Sequence, residues 1–169
     1  MLTSTFKVVL DACVLFPFSL RDTLLRAAHS GLYQPYWSVQ ILALVAQLQK
    51  VFPEALVSGH AALVPGLRNH EGDRHVVAAA LQAHAQVIVT SNLKHFRAKD
   101  MPPRIEAQPP DEFLVNLFDL DPSGMVELVR RQAAALRRPP LELNQLLHGL
   151  AKTVPEFARL VRDESGAGK

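Results

Sequence analysis

The sequence predicts an α/β domain with a mostly parallel central sheet, and two observations support this class. Residues 6–10 (FKVVL) and 86–90 (QVIVT) are short apolar segments rich in β-branched residues, which is typical of strands buried on both faces of a sheet. Segments with apolar residues at helical spacing lie between them. Because helices that alternate with buried strands are the pattern of parallel α/β domains, we expect this architecture.

The first half of the chain predicts three strands and three helices. In chain order these are a strand at residues 6–10, a helix at 20–29, a helix opening at Trp37 and Ser38, a strand at 55–57, a helix from Asp73 and a strand at 86–90. Ser19 is the expected N-cap of the first helix and Gly31 its stop. The expected apolar face of the second helix comprises Ile41, Leu42, Val45 and Leu48.

The second half predicts one edge strand and then helices only. The predicted elements are an edge strand at 105–107 and helices at 111–118, 122–138, 141–150 and from Pro155 onward. Pro139 and Pro140 end the second of these helices. We therefore expect an α/β domain over residues 1–118 and a C-terminal helical extension over residues 119–169, packed on or beside it.

Composition excludes several other classes of protein. Of the 169 residues, 49% are hydrophobic and 20% charged, which excludes a disordered chain. Cys13 is the single cysteine, so a disulfide scaffold is excluded and a reducing, cytoplasmic location is expected. The apolar run at residues 8–20 contains Asp11 and falls short of the ~20 residues that span a membrane. The net charge of +2 does not by itself predict a nucleic-acid partner.

Polar residues follow both buried strands. Asp11 follows the first strand, Thr90 and Asn92 follow the other, and Asp73 opens the helix that leads into it. In open parallel sheets, sites form at the carboxyl ends of strands, so these oxygen-bearing groups are expected to converge. Carboxylate oxygens suit Mg²⁺, which uses one or two of them and keeps several waters. The chemistry that this predicts is metal-assisted hydrolysis of a phosphodiester.

Each of these residues also has a structural interpretation. Asp11 could be a turn residue, Asp73 could complement the helix dipole, and Asn92 could cap the following turn. His75 is expected to be a structural histidine at the edge of the core, and Cys13 a small core residue.

Three segments of the chain resemble the PIN-domain family, and in particular its VapC-like branch of toxin ribonucleases. They are residues 9–15 (VLDACVL), 72–80 (GDRHVVAAA) and 87–93 (VIVTSNL), and the resemblance covers residues 6–118. The helical tail, with RPP at 138–140 and VPEF at 154–157, is also similar to extensions of that branch.

The resemblance implies a three-layer α/β/α sandwich and a Mg²⁺- or Mn²⁺-dependent endoribonuclease, the toxin of a toxin–antitoxin system. Its implied partners are RNA and an antitoxin protein. Asp11, Asp73 and Asn92 match three of the four positions of the family's acidic site and are the implied catalytic residues. Asp11 would bind the metal directly, Asp73 directly or through water, and Asn92 would orient a water or the phosphate.

The remaining acidic position of the family, a Glu on the helix after Trp37, has no match in this chain. On the order of 20 residues, about one helix and turn, are missing between Trp37 and Asp73 relative to the family. Because fewer carboxylates hold a divalent ion less tightly, we expect a weakened nuclease. The alternative is a catalytically inactive PIN-like module that binds RNA or protein.

Cations and apolar residues near these segments predict binding surfaces. Arg21, Lys94 and Arg97 could contact RNA phosphates, although each alone could also be an ordinary solvated charge. The shortened region after Trp37 could leave an apolar surface uncovered and favour a homodimer. The residues expected on that surface are Leu42, Leu44, Val45 and Leu48.

Overall fold

A parallel sheet forms the centre of the first half of the structure, a computed structural model that describes residues 6–42, 48–135 and 139–166. Its strands are β1 (Lys7–Leu10), β2 (Gln34–Ser38), β3 (Leu56–Val57), β4 (Val87–Val89) and β5 (Glu106–Gln108). They lie in the order β3-β2-β1-β4-β5, and every neighbouring pair is parallel. The predicted α/β class with a central parallel sheet is therefore confirmed.

The two segments with continuous apolar character occupy the middle of this sheet. Val8, Val9 and Leu10 of β1 are fully buried, and β4 is buried along its whole length. A strand that is covered on both faces has no solvent side, which explains why neither segment alternates with polar residues. The predicted edge strand is also confirmed, since β5 lies at one end of the sheet.

Helices and short 3₁₀ turns connect and follow these strands. The helices are α1 (Ala12–Leu15), α2 (Phe18–His29), α3 (Val39–Leu42), α4 (Leu48–Val51), α5 (Arg74–Ala83), α6 (Pro110–Leu120), α7 (Pro122–Ala135), α8 (Leu143–Leu150) and α9 (Pro155–Ser165). None of the helices in the described ranges is long and apolar enough to cross a membrane.

The chain divides into two compact units. The first comprises Met1–Phe16 and Gly31–Pro109, and the second comprises Pro17–Ser30 and Pro110–Lys169. The second unit thus includes α2 together with α6–α9. The division at residue 118 that the sequence predicts stays a prediction.

In the first unit, α5 packs against β1, β2 and β4. Its buried residues include Val76, Val77 and Ala80, which the helical spacing predicts to face inward. His84 ends the helix in the left-handed conformation (φ 54°), and the chain then turns into β4. This packing places Asp73, the residue before α5, beside the strands.

Polar contacts link the helices of the second unit at two places that bear on its stability. The Thr23 hydroxyl lies 2.8 Å from Oε1 of Gln132, and both side chains are fully buried. Asp111, in the first turn of α6, accepts the backbone N–H groups of Glu156 and Phe157 at 3.1 and 2.9 Å. Since Val154 provides no side-chain cap, Asp111 acts as the N-terminal cap of α9 from another helix.

Two predicted helix starts are wrong. The helix predicted to open at Trp37 and Ser38 begins at Val39, because residues 34–38 form β2 between β1 and β3. Pro35 argues against an interior strand, yet it is tolerated since β3 pairs only with Trp37 and Ser38 and leaves that edge open. The N-cap of α2 is Pro17 rather than Ser19.

Some predictions fall on residues that the structure does not describe. Leu44, Val45 and the last three residues of the helix predicted at 122–138 lie outside the described residues. Of the residues expected on an uncovered surface, Leu48 is buried, so it cannot contribute to an exposed dimer face.

Candidate active site

Asp11 is held at the carboxyl end of β1 by groups from β4 and from the following turn. Its backbone N–H donates to the Val89 carbonyl at 3.0 Å. Its Oδ1 accepts from the Ala12 N–H at 2.7 Å, and its Oδ2 accepts from the Thr90 hydroxyl at 2.8 Å. The residue is only 7% exposed. These donors fix the carboxylate in one orientation at the edge of the sheet.

The register of the sheet explains why Asp11 and Thr90 meet. Leu10 of β1 pairs with Val89 of β4, so the residues that follow each strand are also adjacent. Thr90 is fully buried, and its hydroxyl also accepts the backbone N–H of Asn92 at 3.0 Å. A single hydroxyl therefore links the Asp11 carboxylate to the turn that carries Asn92.

Cys13 adds a third contact to Asp11. Its thiol donates to Oδ2 of Asp11 at 3.3 Å and accepts the Ser91 N–H at 3.3 Å. Burial raises the pKa of this thiol, and the negative charge of Asp11 contributes in the same direction. The thiol thus stays protonated and is a hydrogen-bond donor rather than a nucleophile.

Asp73 and Asn92 meet at one nitrogen of His95. Nδ1 of His95 lies 2.6 Å from Oδ2 of Asp73 and 2.6 Å from Nδ2 of Asn92. Whether this nitrogen donates or accepts depends on the tautomer of the ring. The His95 ring in either case joins the turn that carries Asn92 to Asp73.

His75, in the first turn of α5, contacts the end of β2. Burial lowers the pKa of its half-buried imidazole, while the charges of Asp11 and Asp73 both act to raise it and His60 acts to lower it. Nδ1 of His75 is 2.7 Å from the fully buried hydroxyl of Ser38, which ends β2. The interpretation of His75 as a histidine satisfied at the edge of the core agrees with this contact.

Two comparisons with known proteins match parts of this chain. The model of the VapC50 C-terminal domain family matches residues 110–163, which lie in the second unit. A protein of Mycobacterium tuberculosis named "Putative ribonuclease VapC50" is 38% identical over 109 residues, which are 64% of this chain and 64% of that protein. The resemblance to VapC-like ribonucleases that the sequence predicts is confirmed by these matches.

The matches cover only part of the relative and include no solved structure. The aligned part of the chain spans less than two thirds of the length of the VapC50 relative. The comparison with solved structures finds no match.

The carboxylates and the amide at this edge of the sheet are of the kind that a hard divalent cation prefers. Two carboxylates and an amide come from the ends of the central strands and the start of α5, and Mg²⁺ is held in this way with waters completing its shell. Each oxygen of Asp11 accepts a hydrogen bond, yet a carboxylate has about four lone-pair sites, so it retains capacity for a metal. Asp11, Asp73 and Asn92 are the residues that could hold the ion.

The predicted RNA-contacting cations lie in different surroundings. Lys94 is exposed in the turn Leu93–His95, directly after Asn92. The exposed guanidinium of Arg97 pairs with Asp100 at 3.2 Å. Arg21 belongs to the other unit, where its guanidinium lies 5.2 Å from the centre of the Phe18 ring.

The sequence did not predict the roles of His95 and Ser38 at the candidate active site. Ser38 ends a strand that was not predicted, so its place beside β1 had no signal. His95 lies one turn after Asn92, a spacing that a 3₁₀ turn brings onto one face. Its contact with Asp73, however, depends on the approach of two distant turns.

Proposed function

We propose that this chain is a Mg²⁺- or Mn²⁺-dependent endoribonuclease, the toxin of a toxin–antitoxin pair, acting through Asp11, Asp73 and Asn92. The observation that carries the proposal is the buried Asp11 carboxylate, which the Ala12 N–H and the Thr90 hydroxyl hold at the carboxyl edge of the sheet. In a parallel α/β sheet this edge is where ligands bind. The VapC50 relative is named as a ribonuclease, which supports the same reaction class.

Asp11 and Asp73 are the proposed metal ligands. A bound Mg²⁺ or Mn²⁺ supplies an activated water and neutralises the charge that develops on the phosphate. Asp11 contributes a carboxylate that Ala12 and Thr90 hold in a fixed orientation. Asn92 orients a water or a phosphate oxygen through its amide, since its backbone is tied to the Thr90 hydroxyl.

Phosphate recognition is proposed for Lys94 and Arg97 in the first unit and for Arg21 in the second. Neutralising phosphates with these cations makes binding salt-dependent without adding sequence preference. An antitoxin protein and a second copy of the chain are the proposed protein partners.

We also propose that activity is weak. Among the His, Cys, Asp and Glu residues that the structure describes, the only group of three with ligand atoms within 4.8 Å of one another is His70, Asp73 and His95, and Asp11 is not part of it. A site with two carboxylates holds a hard cation less tightly than one with three or four. Cleavage should therefore need higher Mn²⁺ or Mg²⁺ concentrations than a site with more carboxylates.

The test is RNA cleavage by the full chain with Mn²⁺, using the parent protein, Asp11→Asn and Asp73→Asn. Asp119→Asn is a matched control, because Asp119 is an exposed residue of α6 in the second unit. We expect cleavage by the parent and the control and its loss in both site variants. Cleavage that persists unchanged in the site variants would overturn the metal-carboxylate assignment. No cleavage by any protein would favour a catalytically inactive module that binds RNA or protein.

A further inference from the structure

Two histidines and Asp73 form a cluster beside the proposed hard-cation site. His70, Asp73 and His95 each offer one ligand atom, and these atoms all lie within 4.8 Å of one another. His70 is exposed, while the side chains of Asp73 and His95 are 22% and 24% exposed. The cluster is therefore open to solvent ions on one side.

The backbone builds this cluster independently of any ligand. The His70 N–H donates to the His95 carbonyl at 3.4 Å, and the Asp73 N–H donates to the His70 carbonyl at 2.9 Å. These bonds join the turn Glu71–Asp73 to the turn Leu93–His95. The rings of His70 and His95 stack in parallel, with centres 3.8 Å apart. The three side chains are thus brought together by the fold, and the ring of His70 has to turn out of the stack for both imidazoles to reach one ion.

The donor atoms of this cluster differ in kind from those of the Asp11 site. Imidazole nitrogens suit Zn²⁺, Co²⁺ and Ni²⁺, whereas Mg²⁺ prefers oxygen ligands. Two imidazoles and one carboxylate, with open positions for water, also form the ligand set of a known class of zinc site. The chemistry of the residues therefore selects a borderline transition-metal ion rather than Mg²⁺.

The ring of His70 is free to turn toward a cation. Its Nδ1 accepts the Gly72 N–H at 3.3 Å, which is a long bond, and the residue is exposed, so the ring can rotate out of its stack. A cation held by His95 and Asp73 takes the place of the hydrogen bond between these two side chains.

We infer that His70, Asp73 and His95 form a second cation site, which binds one transition-metal ion such as Zn²⁺ or Co²⁺ in preference to Mg²⁺. The inference is linked to the proposed function only through Asp73, which both sites use. An ion here changes the charge beside the Asp11 site, and this makes cleavage sensitive to transition metals.

Cobalt is the probe, because Co²⁺ held by protein nitrogen and oxygen ligands absorbs visible light. The untagged full chain is stripped with a chelator and titrated with Co²⁺ in the presence of millimolar Mg²⁺. We expect one Co²⁺ per chain and at least about tenfold weaker binding in His70→Ala and His95→Ala, since even indirect ligand partners contribute tenfold or more. His148→Ala, which changes an exposed histidine of the second unit, should bind Co²⁺ as the parent does.

Several results would overturn this inference. They are the absence of a Co²⁺ absorption band, equal affinity in the parent and both histidine variants, or displacement of Co²⁺ by Mg²⁺. If His95→Ala does not fold, His70→Ala still decides, because His70 is exposed. The readout is independent of RNA, so cobalt binding without cleavage contradicts only the proposed nuclease, and cleavage without cobalt binding contradicts only this site.

Discussion

Replacing Thr90 by valine removes one buried hydroxyl from the end of β4 while keeping the shape of the side chain. The hydroxyl donates to Oδ2 of Asp11 at 2.8 Å and accepts the Asn92 N–H at 3.0 Å. Thr90→Val therefore leaves a buried carboxylate with one donor fewer and a backbone N–H without this acceptor. The variant tests whether the hydroxyl holds the site together.

The expected cost follows from these two bonds. A hydrogen bond to a charged group contributes about 1.5–3 kcal/mol, and an N–H that loses its acceptor costs about 1 kcal/mol when water reaches it in part. The added methyl group returns about 0.8 kcal/mol by burial. We expect Thr90→Val to lower the free energy of unfolding by about 2 kcal/mol, which shifts a urea midpoint by about 1 M at a slope of about 2 kcal/mol per M.

A double-mutant cycle separates the Asp11 contact from other effects of Thr90→Val. Urea unfolding is measured for the parent, Thr90→Val, Asp11→Asn and the double variant. Because Asp11 and Thr90 are in direct contact, we expect a coupling energy of about 1–2 kcal/mol. Thr90→Ser is the matched control, because it keeps the hydroxyl and should therefore keep the hydrogen bond to Asp11. Additive effects of Thr90→Val and Asp11→Asn would refute the reasoning.

Three further predictions concern the second unit and use unfolding of the full chain. Asp111→Ala should cost about 1–2 kcal/mol, because two N–H groups at the start of α9 lose their cap; an unchanged value contradicts this. Thr23→Val should cost about 1–3 kcal/mol because Oε1 of Gln132 is left buried without its donor, whereas Gln132→Leu should cost less, since the Thr23 hydroxyl keeps the carbonyl four residues earlier as its acceptor. The reverse order would contradict this network. Arg159 lowers the pKa of Glu156, so the ion pair stabilises above the usual glutamate pKa and is lost as the pH falls through the lowered one. The thermal midpoint of Arg159→Ala should thus be lower than that of the parent at neutral pH and equal to it in acid. A difference in thermal midpoint that persists in acid would contradict this prediction.

The central strands and Asp11 could be predicted because their signals are local. Residues 8–10 and 87–89 are buried and apolar at every position, and the residue after a buried parallel strand lies at the edge where sites form. Asp73 was placed at a helix start by the apolar spacing of α5. These features need no knowledge of what packs against them.

The remaining features depend on contacts between distant segments. β2 contains Pro35 and is tolerated as an interior strand only because β3 is two residues long. The cap of α9 comes from Asp111, 45 residues away from Glu156. Neither relationship leaves a pattern in the local sequence, since each follows from which elements the fold brings side by side.

The two carboxylates of the site differ in what holds them, and this gives a last prediction. Asp11 accepts from groups on the strand ends, so its contacts form together with the sheet. Asp73 contacts His95, which lies in a turn outside the sheet and is partly exposed. Removing this contact should therefore change cation binding more than stability. We expect the free energy of unfolding of His95→Ala to lie within about 1 kcal/mol of that of the parent, as is usual for a partly exposed pair. A loss as large as that expected for Thr90→Val would show that His95 supports the fold, because a partly exposed contact between two turns should not carry the cost of a buried one.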